Sequence, residues 1–460
     1  MSIITNLTKF LPEVKSPKVK HLQFKTKLKW TLIVLVSYFI LGIISLWGLG
    51  ENALEQFDYL AIILGAQFGS IISLGIGPIV TASIVLQLLN GSGILKLKTE
   101  THEGRAMFQG LQKILTIFFI IFEAIIYVFM GGLSPQAGIS HWVLVFQLFL
   151  GGMLILYLDE ICSKWGFGSG VSLFIAAGVS AEIFVRALSP LTTTGLIAFG
   201  TGQAPIGKIF VFFYSLVSGN PTEALLALSA IIFTVVVFAV SVYTQAMKVE
   251  IPLSFGRVRG YGMRWPLRFI YTSNIPVILV AALLANIQLW ASLLERWGYP
   301  ILGTFTGNVP TSGLVAWIYN PDLIGNIIRG SFTFLDLSKG IVYVLIMSIG
   351  AIIFSVFWMQ TSGMDARSQA KQIMASGLQI PGFRRDERIL EQILKRYILP
   401  LTVMGALAVG LLAALADLTG ALSRGTGILL TVMIIYNFYE KIASDHMADM
   451  YPGLRKFMAK

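Results

Sequence analysis

Ten runs of mostly apolar residues, each separated from the next by a short polar gap, recur along the chain near 30–48, 75–91, 108–131, 142–161, 169–188, 224–246, 268–290, 339–360, 396–417 and 425–443. A helix crossing a bilayer needs roughly 20 such residues, because the hydrocarbon layer is about 30 Å thick. The last two runs are separated by little more than residues 418–424, which forces a tight antiparallel hairpin. Of the 460 residues 55% are hydrophobic and only 12% are charged, about half the charge of an ordinary soluble chain. Water-facing helices need a polar face that this composition does not supply. The expectation is one continuous all-α membrane bundle rather than two or three soluble domains.

The net charge is +11, and its placement decides its meaning. An even number of crossings puts both termini on one side. Of 34 lysines and arginines, 27 fall before residue 30, in 92–107, in 162–168, in 247–268, in 361–396 and after 440. Six fall in the opposite loops, and Lys113 lies within a span. The positive-inside rule makes the termini and the two large basic loops cytoplasmic. Residues 1–29 carry scattered lysines and no small-residue cleavage site, so they read as a retained cytoplasmic segment. Residues 444–460 form a cytoplasmic tail.

Residues 60–89 break the pattern, being too long for one span and interrupted by Gly75, Gly77 and Pro78. Proline lacks a backbone donor and disfavours helix at the residue before it. Gln67, Ser70 and Ser73 suit lipid poorly. A re-entrant segment followed by a true span from about Ile76 is expected, and broken backbone at membrane depth is tolerated only against protein or a water-filled cavity. Five spans on each side of an external loop (30–188, loop 189–223, 224–443) require any duplication to be an inverted repeat. No clear sequence identity links the halves.

Motifs for catalysis are missing. The single cysteine, Cys162, permits no internal disulfide. His21, His102, His141 and His446 have no metal-pair spacing, and GFGSG (166–170) lacks the G-x-S-x-G order of a serine nucleophile. No enzyme, no metal and no cofactor is expected. Glu123 is an acid well inside the third span. Such a residue is a functional candidate, as a proton carrier or as a hydrogen-bonded group facing polar neighbours.

SLGIGPIVTASIVLQLL (73–89), EGRAMFQGLQK (103–113), YLDEICSKWGFGSGVSLFIAAG (157–178), YTSNIPVILVAALLANIQLW (271–290) and IPGFRRDE (380–387) occur in the order found in the SecY family of protein-translocation channels. They resemble its archaeal type over nearly the whole chain. The resemblance implies ten transmembrane helices in two inverted five-helix halves, with a re-entrant plug helix at about 52–70. It places an aliphatic pore ring at Ile76, Val80, Val171, Ile175, Ile278 and Leu430, and the plug at Leu60, Ala61, Ile62, Ile63, Leu64, Gly65, Ala66 and Gln67. Ile76/Val80 and Val171/Ile175 are i,i+4 pairs on one helix face, a pattern that core packing alone also produces. The lateral gate is expected at Thr81, Gln87, Glu123, Asn274 and Asn286, residues that would equally serve ordinary interhelical hydrogen bonding. Ribosome or motor docking is expected at Arg257, Arg259, Arg264, Arg384 and Arg385.

The implied function is a passive conduit in the plasma membrane, moving unfolded secretory proteins across and releasing transmembrane segments into lipid. Implied partners are a SecE-like gamma subunit, a small beta subunit, the ribosome with its nascent polypeptide, and membrane lipid, with no DNA. The rival reading from the residues alone is an inverted-repeat secondary transporter coupled through Glu123. It leaves the aliphatic i,i+4 faces and the long basic loops unexplained.

Overall fold

The computed structural model describes residues 12–19, 22–52, 67–91, 94–95, 102–192, 197–198, 204–255, 262–272, 275–306, 309–375, 378–379 and 386–450. Among these, eight helices are long and apolar enough to cross a membrane. The molecule divides into two compact units, residues 1–181, 285–312 and 434–460, and residues 182–284 and 313–433.

The first unit holds α1 (Phe24–Ile43), α2 (Gly77–Gly91), α3 (His102–Phe129), α4 (His141–Trp165) and most of α5 (Gly170–Leu188). The first apolar run starts earlier than its apolar residues suggest, because Lys25, Lys27 and Lys29 join the helix and can carry their charges to the interface on long apolar stems. It ends at Ile43, where the chain turns to meet the re-entrant stretch. The Leu46 amide donates to the Gly69 carbonyl, and the Ile71 amide to Ile44, both at 2.9 Å. Strands β1 (Leu49–Asn52) and β2 (Leu133–Pro135) then pair antiparallel. Residues 71–76 form turns, with Gly75 at φ 54°, and α2 begins at Gly77 with Pro78 in its first turn, where the missing amide costs no helical bond. At 15 residues α2 is short for a span, roughly 22 Å at 1.5 Å per residue.

Ser70 and Ser73, read as unsuited to lipid, are buried in protein. The Ser70 hydroxyl donates to the Gln67 carbonyl at 2.7 Å, and Ser73 Oγ accepts from the Gly69 amide at 2.9 Å. Gly151 makes room for this turn, since a Cβ there would stand 1.9 Å from the Ile71 carbonyl oxygen. Ile120, Tyr127, Val128, Leu144 and Leu148 close one core around Leu46 and Leu74.

The second unit holds α6 (Lys208–Val217), α7 (Pro221–Ala246), the first part of α8 (Ile275–Arg296), α9 (Gly313–Ile318), α10 (Leu323–Arg329), α11 (Phe334–Thr361), α12 (Ala366–Ala375), α13 (Glu387–Asp417) and the start of α14 (Gly425–Met450). Small residues let helices approach closely where lipid supplies no hydrophobic drive between them. Gly410 lies against Ser348 and Ala351, and Gly405 against the Phe269 carbonyl. The run expected from 268 starts at Ile275 because Arg268 belongs to a strand. β3 (Lys248–Phe255) and β4 (Gly262–Arg268) form a hairpin in register from Lys248↔Arg268 to Ser254↔Gly262. In the first unit, β5 (Phe305–Thr306) and β6 (Val309–Pro310) make a minor ribbon.

Candidate functional site: aliphatic pairs, a polar gate contact and a basic platform

The glycine-rich turn before α5 sets the Val171/Ile175 pair. Asp159, near the end of α4, accepts the Val171 amide at 2.9 Å and the Ser169 hydroxyl at 3.4 Å, which caps α5. A Cβ on Gly170 would collide with Asp159, and one on Gly168 with the Phe438 ring. Ile175 is buried and Val171 half-buried. On α2 the Val80 amide donates to the Ile76 carbonyl at 3.0 Å, so this pair stands one turn apart, with Ile76 buried and Val80 half-buried. Those four residues lie in the first unit. In the second, Ile278 is half-buried on α8 and Leu430 fully buried on α14.

Two of the residues expected at the lateral gate are brought together. Thr81 Oγ1 is 2.9 Å from the Gly77 carbonyl and 3.4 Å from Glu123 Oε1, so its single proton is shared between its own helix and α3. Three turns closer to the start of α3, Gln112 Nε2 donates to Ser83 Oγ at 2.6 Å. This second polar rung was not singled out in the sequence, although Gln112 lies in EGRAMFQGLQK and is spaced three turns from Glu123. Gln87 lies on α2, Asn286 is half-buried on α8, and Asn274 lies outside the described residues. Of the residues expected in the plug only Gln67 is described; it is exposed, with its amide against Gly42 of α1.

The basic loops hold a feature that charge counting did not reveal. β7 (Leu378–Gln379) adds to the hairpin, with Ser254↔Gln379 and Phe255↔Leu378 in register, so the two loops share one three-stranded sheet, ordered β4-β3-β7. Below it lies a core of Ile251, Leu267, Tyr271, Met359, Ile373, Leu390 and Leu394. The Tyr271 hydroxyl donates to the Met364 carbonyl at 2.7 Å, and burial pushes its phenol pKa upward, which keeps it a donor. The alternation of Val249, Ile251 and Leu253, answered by Met263, Trp265 and Leu267, was the available signal for strands. Arg264 lies on β4 opposite Pro252, whereas Arg257, Arg259, Arg384 and Arg385 lie outside the described residues.

A second cluster was also missed. Lys113 of α3 pairs with Glu160 of α4 and donates to the Pro12 carbonyl at 2.7 Å. Glu160 accepts the Val14 amide at 3.0 Å, Lys164 pairs with Glu13, and Trp165 Nε1 donates to the Lys15 carbonyl at 3.0 Å. Residues 12–15 are thus a strap fastened across α3 and α4.

The SecY family model matches residues 70–439. The "Protein translocase subunit SecY" of Methanothermobacter thermautotrophicus is 48% identical over 453 residues, covering 97% of this chain and 96% of that protein. Among solved structures, "The structure of a protein conducting channel" superposes with a TM-score of 0.82 at 42% identity, covering 97% of this chain and 98% of that one. "Sec61 in the Canine ribosome-channel complex from the endoplasmic reticulum" matches with a TM-score of 0.79, also at 42% identity, over 97% and 98% of the two chains. With a family model matched over most of its length, and near-full-length relatives at such identity, the chain belongs to the SecY family.

Proposed function

We propose that this protein is the channel-forming subunit of a Sec-type protein translocase, moving unfolded secretory chains across a membrane and releasing apolar segments sideways into lipid. The observation that carries the reading is the full-length likeness to a protein-conducting channel. The aliphatic pairs on α2 and α5 fit it, because branched aliphatic side chains dewet a constriction yet hold no passing side chain by specific bonds. In this reading Ile76, Val80, Val171, Ile175, Ile278 and Leu430 form the seal, and the stretch from about 52 to 70 is its plug.

Thr81 and Glu123, with Gln87, Asn274 and Asn286, serve the lateral gate. A polar contact between gate helices is satisfied when shut and exchangeable when an apolar segment competes. Two accessory chains, a SecE-like gamma subunit and a small beta subunit, complete the complex in the plasma membrane, with both termini cytoplasmic. The basic sheet and its loops, carrying Arg257, Arg259, Arg264, Arg384 and Arg385, dock the ribosome, a reading supported by the likeness to a channel from a ribosome complex. Work comes from the translating ribosome or another motor, not from chemistry in this chain.

The test is photocrosslinking of a ribosome-stalled secretory chain to probes at Ile175 and Ile278, in proteoliposomes with the SecE-like partner. Crosslinks that advance along the chain with stall length are expected. A docked ribosome with both probes touching only this protein's own helices would sink the conduit reading.

A further inference from the structure

The short hairpin joining α13 to α14 is held from both sides by polar side chains. On one side, Asp417 is 6% exposed. Its carboxylate accepts the Thr426 amide at 3.0 Å, the Thr426 hydroxyl, and the Tyr343 hydroxyl of α11 at 2.7 Å. Its carbonyl accepts Asn320 Nδ2 at 3.0 Å. A carboxylate on the first amides of a helix both caps it and meets its positive end. The grip is close, because a Cβ on Gly425 would stand 2.0 Å from the Ala416 Cβ.

On the other side, the Ser423 hydroxyl donates to Glu182 Oε2 of α5 at 2.6 Å. Arg186, one turn on, pairs with Glu182 Oε1 at 3.0 Å and donates to the Leu422 carbonyl at 3.2 Å. The Leu422 amide donates to the Thr234 hydroxyl of α7 at 2.9 Å. Connecting loops usually give their backbone groups to water. Here both backbone groups of Leu422 go to side chains of helices.

Resting on the channel reading above, we infer that Glu182, Ser423 and Asp417 are positioning residues for the seal: they clamp the 418–424 hairpin so that α14, which carries Leu430, starts at a fixed depth and rotation beside the outer end of α5, which carries Val171 and Ile175. Apolar packing within lipid sets helix rotation weakly, whereas hydrogen bonds to fixed partners are directional. Leu430 is five residues beyond Gly425, so an error in how α14 starts is carried directly to it.

The test is passive anion leak through idle channels in proteoliposomes with the SecE-like partner, compared with thermal unfolding of the same preparations. Ser423→Ala and Glu182→Gln should each raise leak roughly fivefold, the population shift that losing about one hydrogen bond allows. Their double variant should leak no more than either single one, and Ser423→Thr should restore the seal. Leu430→Ala serves as the control. Leak from Leu430→Ala with none from Ser423→Ala or Glu182→Gln overturns the clamp and leaves the channel reading standing. Leak from none of them removes the ring and the clamp together. Leak from the clamp variants without Leu430→Ala would also overturn the proposal, since the clamp would then act elsewhere. If Glu182→Gln does not fold, Ser423→Ala decides alone.

Discussion

At the scale of single residues, two kinds of position matter: those that allow close approach and those that make one polar contact in an apolar place. Gly151 is of the first kind, with the Ile71 carbonyl where its Cβ would be. Gly151→Ala should push the 67–76 turn off α4 and cost about 1–3 kcal/mol, read as a lowered melting temperature of the detergent-solubilised protein. Thr81 is of the second kind. Interhelical hydrogen bonds in membranes average about 0.6 kcal/mol and reach about 1.7. Thr81→Val should therefore ease separation of α2 from α3 by roughly threefold, and at most about fifteenfold. The readout is translocation of a precursor with a weakly apolar signal, which should rise; an unchanged rate would remove Thr81 from the gate. Glu123→Gln keeps an acceptor for the same hydroxyl and should change that rate less, whereas the transporter reading requires loss of all transport.

At the scale of elements, the strap and the sheet tie segments distant in sequence. Lys164 hydrogen-bonds the Glu13 carboxylate and holds its pKa below the ordinary 4.5. A carboxyl whose folded pKa is depressed adds stability above its unfolded pKa and loses it as pH falls through the folded value. Glu13 is 69% exposed, so the pair is worth at most about 1 kcal/mol. Protection of the Val14 amide against hydrogen exchange, normalised for the intrinsic rate, should weaken below pH 4.5 and stay flat above it. The sheet makes a geometric prediction. Directly opposed residues in an antiparallel pair have Cα atoms about 4.5–5.5 Å apart, within disulfide reach. Ser254→Cys with Gln379→Cys should oxidise to an internal crosslink on a non-reducing gel, and Cys162 is buried, so it should not compete. Failure to crosslink would mean that the two basic loops move independently.

At the scale of the whole molecule, the apolar spans and the break at Gly75–Pro78 were legible because each follows from a local requirement: apolar length, a missing amide. The Thr81–Glu123 contact was half legible, since both residues were singled out but their pairing needed three dimensions. The joining of β7 to the β3–β4 hairpin, the strap and the Asp417 clamp were not legible, because each joins segments far apart in sequence, and Glu160 or Asp417 look like ordinary helix-end acids. That difference bears on docking. Seven basic residues in 361–396 and five in 247–268 read from sequence as two separate arms. Joined through the β4-β3-β7 sheet on one core, the described parts of the two loops are held side by side, and a polyanion docking there would meet both together. Affinity should then depend steeply on salt, with the log–log slope shallower by about 0.7–0.9 for each phosphate contact removed. Arg264→Ala should weaken ribosome binding in proportion to one contact, measured by co-sedimentation of proteoliposomes across a potassium series. Arg384→Ala with Arg385→Ala should flatten the slope by roughly twice as much. Because the sheet couples the loops, these losses should add in the slope while Ser254→Cys with Gln379→Cys, once oxidised, leaves it unchanged. A slope insensitive to all three arginines would move the docking surface off this platform.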